Sequence, residues 1–141
     1  MAQALDSAVF DVLTADKTSG SLHSKVGGRI YPSHGDPGDD FPIVVFEQIG
    51  SDITHLFGGA LMYLDNYQIR VINRHEEGLA SIADLADIVV GLFNGTTSAT
   101  APTNFDRAEF TVVNSTDIDR ADELLTATVN VTVRATQTSG L

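Results

Sequence analysis

The chain has 141 residues, 43% hydrophobic and 19% charged, which suits a single folded domain around one core and is too apolar for disorder. Nineteen acidic residues against eight basic ones give a formal net charge of −11, which excludes tight nucleic-acid binding through counterion release but not a place beside DNA or beside a cationic protein. Cysteine is absent, which excludes disulfides and thiolate chemistry, and no apolar run of about 18 residues is available to span a membrane.

Residues 1–6 lack the basic and apolar blocks of a secretory signal, so none is expected. Ala4 to Ala15 reads as a helix, with Leu5, Ala8, Val9, Val12 and Leu13 on one face. Turn formers follow over 16–21. Val26 to Tyr31 reads as a short strand in which Gly27 and Gly28 permit a bulge or a close backbone approach. Pro32 to Phe41 is a loop carrying His34, Asp36, Asp39 and Asp40. Its acids lack the regular alternation of a calcium loop and Pro37 interrupts them, so it reads as an exposed acidic turn.

Ile43 to Ile49 is a continuous apolar run rich in β-branched residues, the signature of a strand covered on both faces. Ser51-Asp52 is a polar break. Ile53 to Phe57 is a second short strand or hairpin arm, turned by Gly58-Gly59. Leu61 to Asn73 is a strand long enough to pass its neighbours. Tyr67, Ile69, Val71 and Asn73 line one of its faces, and Gln68, Arg70, Ile72 and Arg74 the other.

Glu77 to Phe93 reads as the second helix, with a stripe of Leu79, Ile82, Ala83, Ala86, Val89, Val90 and Phe93. Glu76 and Glu77 complement its dipole, and Asn94-Gly95 ends it. A small-residue linker spans Thr96 to Thr103, and Phe105 to Val113 is a strand. Ser115 to Glu123 is an acidic turn whose Asp117, Asp119 and Asp122 face solvent rather than a metal. Leu125 to Ala135 alternates most clearly of all, and Thr136 to Leu141 is a polar, flexible tail. The fold class is therefore α+β: a mostly antiparallel β-sheet with two α-helices packed on one face, in a single domain over residues 1–141. The other face needs a cover, and the Thr-rich side of the last strand suits pairing with another subunit.

No catalytic set emerges. There is no Gly-x-Ser-x-Gly elbow, and His75-Glu76-Glu77 lacks the second histidine of a zinc protease. His23, His34, His55 and His75 are scattered in or beside loops. The expectation is a non-enzymatic protein with no cofactor and no metal site.

The order of these stretches carries a resemblance. An amphipathic helix ends at Leu13, and Val26-Gly27-Gly28-Arg29-Ile30-Tyr31-Pro32 follows. After the Pro/Gly/Asp loop comes Phe41-Pro42-Ile43-Val44-Val45-Phe46. Tyr67-Gln68-Ile69-Arg70-Val71 then leads into a helix closed by Leu92-Phe93-Asn94-Gly95, and two strands finish the chain. This arrangement resembles the tail completion, or tail terminator (tail-to-head joining), family of long-tailed bacteriophages. The 96–103 linker and the acidic 117–123 turn are not features that the family demands, and they leave the register of the last two strands open.

The resemblance implies a structural virion protein assembled in the host cytoplasm and located at the head–tail junction. Such proteins form a homo-oligomeric ring, commonly a hexamer, on the head-proximal end of the tail tube. The ring ends tail polymerisation and meets two partners, the tail tube protein and the head–tail connector protein. DNA passes through its lumen without specific binding, and no membrane is involved. The residues expected at subunit or partner interfaces are Ile53, His55, Phe57, Gln68, Arg70 and Ile72, and Asp36, Asp39 and Asp40 are expected on a lumen-facing loop. The competing readings are a neck or head-completion protein on the portal side and a monomeric small-molecule or peptide-binding domain.

Overall fold

The computed structural model describes residues 2–15, 18, 21–32, 41–55, 61–74, 76, 78–94, 107–115, 118–121 and 124–137. In chain order these form α1 (Ala2–Thr14), α2 (Leu22–Lys25), β1 (Ile30–Pro32), β2 (Ile43–His55), β3 (Leu61–Arg74), α3 (Leu79–Phe93), β4 (Arg107–Ser115), β5 (Asp119–Ala121) and β6 (Leu124–Gln137). One sheet runs in the order β1-β2-β3-β6-β4, and β5 pairs with β6 beyond the end of β4. Every pairing is antiparallel except β1 with β2, which is parallel. The fold is α+β, as the residue pattern predicts.

Several boundaries differ from the expectation, each for a local reason. Val26 does not start a strand. Ser21 caps a short third helix by accepting a hydrogen bond from the Ser24 amide at 3.2 Å, and Val26 closes that helix by donating to the Leu22 carbonyl at 3.0 Å. Gly27 and Gly28 then turn the chain with φ of 61° and 76°, a region costly for any residue with a Cβ. The strand itself begins only at Ile30. Helix α3 starts at Leu79, because Gly78 leaves the helical region with φ 87°.

Strand β2 is one strand of 13 residues rather than two. The polar Ser51 does not break it, because the Ser51 hydroxyl donates to the buried Asp65 carboxylate across the ladder at 2.5 Å. The discontinuity is instead a register shift between Gln48 and Gly50, which leaves Ile49 as a bulge. The acidic turn after β4 contains β5, paired to Leu124–Thr126. Thr136 and Gln137 belong to β6, opposite Met62 and Leu61, and so are not part of a flexible tail.

The core lies between the helices and one face of the sheet. Val44 and Phe46 from β2 reach it, with Tyr63, Tyr67, Ile69 and Val71 from β3 and Ala108 and Phe110 from β4. From β6 come Leu125, Ala127, Val129, Val131, Val133 and Ala135, the full run that the alternation predicts. Helix α3 buries Ile82, Leu85, Val89 and Phe93. Leu79 and Ala83, expected in that stripe, are exposed, and Leu85 takes the place on the buried side. Phe93 meets Phe110 edge to face, with ring centroids 5.4 Å apart at 71°. Each such fully buried side chain contributes about 1.5–3 kcal/mol of transfer free energy.

Candidate functional site

The helices cover one face of the sheet, and among the described residues no helix lies on the other. Directly opposed residues share a face, so the second face can be read row by row. One row is Glu47, Gln68, Asn130 and Asn114, and the next is Asn66, Thr132 and Thr111. The rows are stitched by side chains. Asn130 Nδ2 donates to Asn114 Oδ1 at 2.6 Å, and Thr132 Oγ1 donates to Asn66 Oδ1 at 3.1 Å. Arg70 Nη2 lies 3.3 Å from Glu47 Oε1, both side chains about a third exposed (33% and 34%). At that exposure the pair is worth little beyond its geometry. Glu109 stands opposite Arg134. The rows just described are thus hydroxyl- and amide-rich, with Glu47 and Glu109 set against arginines; in other rows of this face Asp52 opposes Leu64 and Val45 opposes Arg70.

Of the residues singled out in the sequence, Gln68, Arg70 and Ile72 lie together on this face, each half-buried. Ile53 and His55 do not join them. They oppose Tyr63 and Leu61, on the helix side of the sheet, in the far half of β2 where Ser51–His55 are all exposed. The six expected interface residues therefore divide between two patches, because the register of β2 on β3 assigns alternate positions to opposite faces. Phe57 and the acids Asp36, Asp39 and Asp40 lie outside the described residues.

Among the described residues two long strand edges are open, besides that of the three-residue β1. β1 pairs with β2 only at Val44–Phe46, so among the described residues nothing pairs with the outer edge of Glu47–His55. At the opposite side of the sheet, β4 pairs among the described residues with β6 alone. Both edges carry exposed apolar side chains: Ile49 and Ile53, each 55% exposed, and Val113, 60% exposed. Ile49 and Val113 both sit at register shifts, Val113 between Val112 and Asn114. The sequence reading missed these two residues. The available signal was an apolar residue out of phase with the alternation around it, next to Gly50 in one case and Asn114 in the other.

A separate cleft of about 470 Å³ opens between α2, α3 and the ends of β2 and β3, lined by Lys25, Phe41, Pro42, Asn73, Ser81, Asp84 and Leu85. Its polar groups are largely engaged with each other. Asn73 Nδ2 donates to Ser81 Oγ at 3.0 Å, and Lys25 Nζ lies 4.0 Å from Asp84 Oδ2. Arg74 stacks over the Phe41 ring at 5.6 Å. Among the described residues no group of three or more His, Asp or Glu converges on a possible metal position. His23 and His55 stand apart from one another in the sequence and fold, and His34 and His75 lie outside the described residues.

No family model matches the chain, and no curated protein sequence matches it. Solved structures do. A chain in the virion of a native gene transfer agent particle superposes with a TM-score of 0.72 at 19% identity, over 96% of each chain. A second structure, whose name states no role, superposes with a TM-score of 0.65 at 12% identity, again over 96% of each chain. At these identities the likeness establishes a shared fold over nearly the whole length.

Proposed function

We propose that this chain is a structural virion protein that caps the head-proximal end of a phage-type tail tube as a homo-oligomeric ring. The ring ends tail polymerisation and forms the joint to the head connector, with DNA passing through its lumen. The observation that carries the reading is the end-to-end fold match, over 96% of each chain, to a chain of a gene transfer agent virion. The order of motifs along the sequence points the same way. The two open sheet edges give each subunit the two unlike patches that a head-to-tail ring requires.

The test is light scattering after size exclusion over a concentration series, with negative-stain images, followed by addition of the protein to growing tail tubes. Closed rings that stop tube growth are the expected result. Rings that bind a portal-side connector but leave tube growth unchanged would assign the protein to the neck. A strict monomer that never caps tubes and holds a ligand in the Lys25–Asp84 cleft would refute the virion reading.

A further inference from the structure

We infer that copies of this chain join edge to edge, the far half of β2 (Glu47–His55) pairing antiparallel with β4 (Arg107–Ser115) of the next copy. The inference rests on the ring reading and specifies its interface. Three observations lead to it.

First, the directions match. β2, β3, β6 and β4 alternate along the sheet, each antiparallel to the next. A second copy in the same orientation therefore brings its β2 alongside β4 with the alternation unbroken. All helix layers then stay on one side of the joined sheets, and all uncovered faces on the other. Such a contact uses two different patches per subunit and propagates until it closes.

Second, the lengths match. Each open edge is nine residues long, Glu47–His55 and Arg107–Ser115, enough for a continuous ladder. Third, each edge carries a bulge but lacks the two residues most often used to blunt one. Isolated edges are commonly blunted by lysine or proline, and neither stretch contains either residue. Instead Ile49, Ile53 and Val113, all more than half exposed, place apolar surface where it stays wet in the monomer. Leucine-sized exposed side chains elsewhere among the described residues are Phe10 and Leu79 on the helices, so three of the five lie on the two edges. Bulges such as those at Ile49 and Val113 twist an edge locally, and here they turn an apolar side chain outward.

The absence of cysteine makes the test direct. Pairs of cysteines are placed one on each edge: Ile49→Cys or Ile53→Cys with Thr111→Cys or Val113→Cys. Each double variant, assembled at ring-forming concentration, is treated with a short bismaleimide, whose reach tolerates an offset of one residue pair. The expected result is a ladder of covalent oligomers up to the ring size from at least one double variant, with no cross-linked dimer from any single variant. In parallel, Val113→Lys should raise the concentration needed for assembly at least tenfold while leaving the monomer melting temperature unchanged, since the side chain is exposed.

Rings that form normally but yield no ladder from any pair, and that tolerate Val113→Lys, would overturn the edge assignment and leave the ring reading standing. A dimer from Val113→Cys alone would overturn it too, by revealing a two-fold contact of like edges. A wild-type protein that neither assembles nor caps tubes at any concentration would remove the ring reading and this inference with it.

Discussion

The edge-to-face contact of Phe93 and Phe110 ties α3 to β4, the strand at the sheet margin, and its removal should be measurable as a coupling. Both side chains are fully buried, with centroids 5.4 Å apart. Replacing either by leucine keeps an apolar group of nearly the same volume and should cost about 1–2 kcal/mol. The two losses should not add. The aromatic pair itself is worth about 0.5–1.5 kcal/mol beyond area burial, and it is lost once, with the first substitution. Phe93→Leu/Phe110→Leu should therefore fall short of the summed single losses by that amount. For 141 residues the unfolding entropy near the melting point is about 0.3 kcal/mol per degree, so each single variant should lose about 3–7 °C. Urea unfolding at a concentration where scattering shows monomer keeps assembly out of the measurement. Additivity within about 0.3 kcal/mol would refute the contact and with it the docking of α3 on β4.

Three further outcomes follow, two of them from single positions. Gly27→Ala should destabilise by about 1–2 kcal/mol in the same urea assay: φ there is 61°, and the new Cβ would lie 2.7 Å from Arg29 Nη1, disturbing the 3.1 Å bond from Arg29 Nε to the Pro42 carbonyl. A neutral result would mean that the turn relaxes freely. Ser51→Ala removes a 2.5 Å donor to Asp65, which is 2% exposed, and should cost about 1.5–3 kcal/mol, with Ser51→Thr restoring most of it. Equal losses for both variants would show that the hydroxyl is not the stabilising group. Under the lumen proposal, neutralising Asp36, Asp39 and Asp40 together should slow DNA ejection from reassembled particles or leave DNA bound, and unchanged ejection kinetics would remove those acids from the lumen.

What the sequence made legible follows from which forces act locally. The β6 alternation is read correctly at all six inward positions from Leu125 to Ala135, because one face of that strand is wholly buried and the side-chain period is two. The apolar block Ile43–Phe46 is buried at every residue, although only Val44 and Phe46 belong to the main core, which agrees with a strand covered on both sides there. The errors sit where a tertiary partner overrides a local signal. Ser51 looks like a break until Asp65 is placed opposite it, and Gly27-Gly28 looks like a strand bulge until Ser21 is seen to start a helix turn. The candidate surface was legible in part: Gln68, Arg70 and Ile72 share a face as their spacing demands. The split of Ile53 and His55 onto the other side depends on the bulge at Ile49, whose mark in the sequence is no more than one apolar residue beside Gly50.

The distribution of charge bears on how copies can approach. Among the described residues of the uncovered sheet face, Glu47 meets Arg70 and Glu109 opposes Arg134, while Asp52 opposes Leu64. Among the described residues of the helices, Asp11, Asp84 and Asp87 are exposed, with Lys25 Nζ 4.0 Å from Asp84 Oδ2. Two copies meeting helix layer to helix layer would bring like charges together at short range, a cost that grows as water is excluded between them. Two copies meeting along the sheet margin bring the balanced ladder of one against that of the next, with backbone groups and the apolar Ile49, Ile53 and Val113 at the seam. Asp52 is the one exposed carboxylate among the described residues of the β2 edge beyond Glu47. Under the edge-to-edge proposal, repulsion between helix layers and tolerance along the margins favour the same geometry, in which subunits stand side by side with their helix layers all turned one way.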